Sequence, residues 1–74
     1  MNHDLKIQPE YFEDVYSRLK TFEIRKNDRN FQVNDVVILR EYTKGYYTGR
    51  SISFTICYMT DFAQAEGYVV LGLR

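Results

Sequence analysis

The stretch SISFTICY, residues 51–58, alternates without a break, with Ile52, Phe54, Ile56 and Tyr58 on one side and Ser51, Ser53, Thr55 and Cys57 on the other. A period of two sends successive side chains to opposite faces of an extended chain, so this stretch predicts a strand with one apolar and one polar face. Immediately upstream, residues 42–50 carry Lys44-Gly45 and Thr48-Gly49 between two strand patterns. That composition predicts a hairpin connection. Further upstream, Val36, Val37, Ile38 and Leu39 form an apolar run suited to a strand covered on both faces, the candidate central strand, with Arg40 and Glu41 marking its emergence toward water. Downstream, residues 61–67 are polar and small enough for a loop or one helical turn, and Tyr68 to Leu73 form a closing β-rich run.

The N-terminal half adds the remaining elements. His3 to Ile7 alternates, with Leu5 and Ile7 on one face and Asp4 and Lys6 on the other. Pro9 suits a first helical position, and Glu10, Glu13 and Asp14 suit the start of a helix dipole. Tyr11, Phe12, Val15, Tyr16 and Leu19 follow at helical spacing, which predicts an amphipathic helix over residues 9–18 packed on a sheet. Residues 21–25 return to period two, with Phe22 and Ile24 on one side and Thr21, Glu23 and Arg25 on the other. KNDRNFQVND, residues 26–35, is rich in turn-forming Asn and Asp and reads as a loop pinned to the core by Phe31 and Val33. Five short strands with one helix predict an α+β fold: a small curved sheet or partly closed barrel with the helix packed against it. A doubly wound parallel sheet needs more crossover helices than one.

A chain of 74 residues has room for a single domain, residues 1–74, which at this size buries only about 60% of its unfolded surface. Seven Tyr and five Phe compensate, because each ring buries a large area when packed. Ten basic and ten acidic side chains give a formal net charge of zero, so any attraction to nucleic acid must be local. One cysteine, Cys57, and one histidine, His3, exclude an internal disulfide and the usual four-ligand zinc site, and no metal or cofactor is expected. Cys57, alternating with Ser53 and Thr55, reads as a small buried residue rather than a nucleophile. The N-terminal MNHDLKIQ lacks an apolar leader and no window approaches a membrane span, so a cytoplasmic protein with no membrane partner is expected.

The densest polar constellation is KTFEIRKNDR, residues 20–29, where Lys20, Arg25, Lys26 and Arg29 stand with Glu23 and Asp28 for a local charge of +2. Strand geometry holds Glu23 and Arg25 on one face, and the helix-to-strand junction brings Lys20 near the same space, which predicts a polar cleft beside the helix. Arg binds phosphate or carboxylate through a planar fork, Lys as a point charge, and Glu accepts from a base amino group. These groups suit a nucleotide. Residues at these spacings also form ordinary surface ion pairs worth little energy.

At HDLKIQPEYF (3–12), KTFEIRKNDR (20–29), FQVNDVVILRE (31–41) and EGYVVLGLR (66–74) the chain resembles the ASCH domains of the PUA-like superfamily, and specifically the short prokaryotic and phage proteins grouped as the DUF3850 family. The resemblance covers nearly the whole chain. It implies a PUA-like β-barrel with a cleft between barrel and helix, and a role in binding RNA or a nucleotide. The ligand groups it implies are Lys20, Glu23 and Arg25, with Lys26, Asp28 and Arg29 on the adjoining loop. His3, at the start of the first strand as in the family pattern, and Tyr68 are further candidates. Two positions depart from that pattern: Arg18 stands where glycine usually ends the helix, and Asn34 where glycine usually precedes Asp35, although Asn tolerates the left-handed conformation a turn needs.

Some compact ASCH proteins resemble this chain around the lysine and hydrolyse the acetyl amide of N4-acetylcytidine, so an amidohydrolase with Lys20 and Glu23 as its reacting groups is the alternative. Such chemistry needs an activated lysine, a hydroxyl nucleophile and a second acid or base. That family's threonine falls where this chain has Glu23, and its later glutamate has no matching position, which favours binding over catalysis. A third expectation is a regulatory module meeting a protein partner through Tyr42, Tyr46 and Tyr47, against which stands the use of aromatics beside a hairpin to hold strand register.

Overall fold

Residues 51–58 are the middle of a longer strand. In the computed structural model, which describes residues 1–74, the elements in chain order are β1 (Asn2–Ile7), α1 (Pro9–Tyr16), β2 (Phe22–Lys26), β3 (Val36–Thr43), β4 (Tyr46–Thr60) and β5 (Tyr68–Leu73). The strands form one mixed five-stranded sheet in the order β1-β3-β4-β5-β2, with β1 parallel to β3 and the other pairs antiparallel. With one short helix, this is an α+β fold. The centre of the sheet is β4 rather than β3, because its 15 residues serve two ladders. Tyr46 to Thr55 pair with β3, and Ile56 to Thr60 pair with β5.

A register shift between Ile56 and Tyr58 separates the ladders. Phe54 and Ile56 are buried as the alternation predicts, but the extra residue breaks its phase. Tyr58 therefore turns outward and Cys57 is exposed instead of buried, while Met59 returns to pack against the core. The hairpin is also tighter than residues 42–50 suggest. Lys44 and Gly45, at φ 53° and 90°, form a two-residue turn, and the strands run right up to it, with Thr43 opposite Tyr46 and Tyr42 opposite Tyr47.

The core gathers on one face of the curved sheet. Leu5, Ile7, Val37, Leu39, Phe54, Ile56, Val69, Leu71 and Leu73 supply its strand side, and Phe12 and Val15 of α1 cover it. On β3 the opposite face is only half covered, since Val36 and Ile38 are half-buried. Glu41 does not emerge toward water. Alternation after Val37 and Leu39 keeps it on the inner face, where it is 5% exposed. From the 26–35 loop Phe31 enters the core, but Val33 stays exposed. Asn34 adopts the left-handed conformation, at φ 80°.

Helix α1 ends at Tyr16, two residues before the expected boundary, and of its apolar stripe only Phe12 and Val15 are buried. Arg18 takes the left-handed conformation at φ 64°, the role glycine usually fills. Ser17, Arg18 and Lys20 donate their main-chain N–H groups to Glu13, Val15 and Asp14 at 3.0, 3.2 and 3.0 Å, so the turn out of the helix fixes the backbone of Lys20.

The sheet does not close through its backbone, since β1 pairs only with β3 and β2 only with β5. Two arginines span the gap. Arg25 Nη2 donates to the carbonyl of Lys6, and Arg29 Nη1 to the carbonyl of Asp4 at 2.8 Å. Edge carbonyls of β1 that would otherwise be open are thereby engaged.

Candidate functional site

The site begins with a strand turned inside out. On β2, Phe22 and Ile24 face outward, 43% and 51% exposed, while Glu23 is only 5% exposed and Arg25 half-buried. Burying a carboxylate requires compensating charge and hydrogen bonds. Lys20 Nζ donates to Glu23 Oε1 at 2.7 Å and Arg25 Nε to Glu23 Oε2 at 3.0 Å, so each oxygen has its own cation. The Lys20 ammonium also lies 5.4 Å from the Tyr11 ring centre and 5.1 Å from that of Phe22, where ring quadrupoles favour a cation.

These groups line a cleft of about 540 Å³ between the end of β1, the start of α1 and the free edge of β2. Its charged lining is Lys6, Lys20, Arg25 and Lys26 against Glu23, a local charge of +3 on a chain with no net charge. Tyr11, Phe22 and Tyr68 supply flat apolar surface beside those cations. A cavity of this size matches a small-molecule ligand or one nucleotide.

Of the residues singled out in the sequence, Lys20, Glu23, Arg25, Lys26 and Tyr68 come together around this cleft. Arg29 lies apart from it, clasping β1, and Asp28 is an exposed loop residue. His3 does not reach the cleft. It is buried, bonded through Nε2 to Asp35 Oδ2 at 2.8 Å, and packed edge-on to Phe31 at 4.7 Å. Asp35 also accepts from the N-terminal ammonium at 3.1 Å and from the main chain of Gln32 at 3.1 Å, and His3 is the largest influence holding its carboxyl below the usual range. Tyr11 and Lys6 are cleft residues that the sequence assigned to a packed helix stripe and an ordinary strand face. Their place follows from the curvature that brings β1 and α1 against the edge of β2, a long-range relation with no local signature.

A third buried acid, beside Glu23 and Asp35, went unnoticed in the sequence. Glu41 accepts from Thr48 Oγ1 at 2.6 Å and from Arg50 Nε and Nη2 at 3.0 Å each, and Arg50, which also pairs with Glu13, stacks 4.6 Å from the Phe12 ring centre. Arg50, followed by Thr48, holds the Glu41 carboxyl below its ordinary value, and the two glutamates raise that of Arg50. With both oxygens of Glu41 engaged internally, this network joins hairpin to helix. Tyr42 and Tyr47 pack edge to face at 5.1 Å across the hairpin, and Tyr46 and Tyr47 remain exposed. No group of three or more His, Cys, Asp or Glu side chains is placed to hold a metal ion, and no helix is long and apolar enough to cross a membrane.

The sequence is similar to one described family and to a phage protein. The family described as a domain of unknown function, DUF3850, matches residues 2–73. An uncharacterized 12.9 kDa protein in the GpA 3′ region of Escherichia phage P2 is 39% identical over 70 residues, covering 93% of this chain. The chain spans 64% of that phage protein's length.

Proposed function

The chain belongs to the DUF3850 family, and we propose that it binds RNA or a nucleotide in the cleft between α1 and the free edge of β2. The observation that carries this reading is the ion triplet of Lys20, Glu23 and Arg25, held at 2.7 and 3.0 Å in a cleft of surplus positive charge flanked by aromatic rings. Cations attract phosphate and rings offer a stacking surface to a base, the two elements of single-stranded nucleic-acid binding. The strongly curved sheet, with its edges bridged by Arg25 and Arg29 and a helix beside the gap, also suits a PUA-like barrel of the ASCH kind.

Binding is favoured over amide hydrolysis by the composition of the cleft. Lys20 already pairs with Glu23, and the lining offers no serine or threonine hydroxyl as a nucleophile. For the hairpin tyrosines, the packing of Tyr42 on Tyr47 favours a register role over a partner surface.

Fluorescence anisotropy with a labelled mixed-sequence single-stranded oligoribonucleotide tests the proposal. Binding should weaken with rising salt and fall at least several-fold in Lys26→Ala, which removes a cleft cation without touching the buried carboxylate. Binding that is indifferent to salt and to Lys26 would refute an electrostatic cleft.

A further inference from the structure

The cleft contains a recognition element that no side chain supplies. The ladder between β2 and β5 has its phase fixed at both ends, since Leu73 N donates to Thr21 O at 2.9 Å and Asn27 N to Gly67 O at 2.8 Å. Along an antiparallel strand, residues whose N–H and C=O both face the partner alternate with residues whose groups both face away. Thr21, Glu23, Arg25 and Asn27 therefore direct their main-chain groups at β5, and Phe22, Ile24 and Lys26 direct theirs at the free edge. The Lys26 carbonyl is taken by Asp28 N at 2.9 Å. Across the gap the carbonyls of Asp4 and Lys6 are taken by Arg29 and Arg25.

What remains open along this edge is the N–H and C=O of Phe22 and of Ile24 with the N–H of Lys26, and Ile24 stands in the middle of them. The residues lining the cleft on this side run consecutively from Phe22 to Lys26, although their side chains alternate between two faces. A strand contributes consecutive residues when it presents its edge.

We propose that Ile24 reads an unpaired nucleobase through its main chain, donating its N–H to an acceptor of the base and accepting at its C=O from the neighbouring donor. The inference rests on the nucleotide reading above and names the state of the nucleotide. Single-stranded bases are read on their Watson–Crick edges, where a donor and an acceptor lie side by side. In a duplex that edge is occupied, so the site selects an unpaired base. A cleft of about 540 Å³ has room for one such nucleotide, and its +3 lining attracts the phosphate. An extended peptide could pair with the same strand edge, but it has no inherent use for the surplus of cations beside the rings.

The test compares uridine 5′-monophosphate with its 3-methyl analogue, and adenosine 5′-monophosphate with its N6,N6-dimethyl analogue, each titrated into the isotope-labelled protein. Methylation blocks the edge and leaves phosphate, sugar and ring face in place. For at least one pair, the expected result is a shift and slowed exchange of the Ile24 amide with the unmethylated nucleotide, and binding of the methylated partner weaker by about tenfold. Ile24→Pro removes the same N–H without breaking a ladder bond, because an edge strand tolerates proline where the N–H faces outward, and should weaken binding similarly. If methylated and unmethylated nucleotides bind equally while Lys20 and Arg25 respond, the main-chain reading fails and the nucleotide reading stands. If none of the nucleotides binds, both fail. Should the proline variant not fold, the methylated nucleotides decide alone.

Discussion

Arg25 joins Glu23 through Nε at 3.0 Å and, with the other arm of the same guanidinium, donates to the carbonyl of Lys6 on the opposite edge of the sheet. One side chain thus neutralises the buried acid of the cleft and ties the walls of the cleft together. Loss of Arg25 should both open the gap and leave Glu23 with Lys20 alone. Arg25→Ala is expected to lose stability and ligand binding together, and Arg25→Lys to rescue little of either, because an ammonium cannot span both acceptors in a planar fork. Urea unfolding and oligonucleotide binding on the two variants check this.

Glu23→Ala leaves two cations facing each other in a partly buried site. The expected cost is about 1–3 kcal/mol, set by groups that lose their partner more than by the pair's own strength. A midpoint unchanged in urea unfolding would contradict the burial of Glu23.

The inversion of β2 gives a contrasting pair. Ile24→Thr, on the outward face, should change stability by no more than about 0.5 kcal/mol, whereas Val37→Ala in the core should cost about 2 kcal/mol or more. Equal costs in thermal unfolding would mean that Ile24 is packed.

Arg18 holds a left-handed backbone that disfavours a side chain, and its guanidinium lies 5.3 Å from the Phe54 ring centre. Arg18→Gly relieves a strain of about 1–2 kcal/mol but loses that contact and adds freedom to the unfolded chain. The balance is a modest gain, up to about 1 kcal/mol, measured as a raised melting temperature.

Acid should destabilise the fold through Asp35 and Glu41, whose carboxyls are held below their ordinary values by His3 and Arg50 respectively. Folding favours their ionised forms, so the stabilisation is complete above the unfolded carboxylate range near pH 4 and is lost as pH falls through the lower folded values. Unfolding free energies between pH 7 and pH 2 should show this decline, and Glu41→Gln should flatten part of it.

Much of the architecture is local and was legible. The period of two in residues 51–58 and in His3 to Ile7, and the helical spacing around Phe12 and Val15, reflect which faces meet the core. The polar face of β2 was legible for the same reason, and it placed Glu23 and Arg25 together. What escaped depended on irregularity or on distance. The bulge near Cys57 reversed the outlook of Tyr58 without any glycine or proline to announce it. Glu41 read as a surface residue because its burial depends on Arg50, which is nine positions away in sequence and opposite in the hairpin. Tyr11 entered the cleft through the curvature of the whole sheet, and His3 left the candidate site because Asp35, 32 residues on, holds it.

The most direct measurement of the central claim is a map of backbone amide shifts during titration with a mixed-sequence single-stranded oligoribonucleotide. The expected result is a saturable set of shifts confined to Lys6, Tyr11, residues 20–26 and Tyr68, around the cleft. Shifts centred on Tyr46 and Tyr47 at the hairpin, or a spectrum unchanged at saturating RNA, would contradict it.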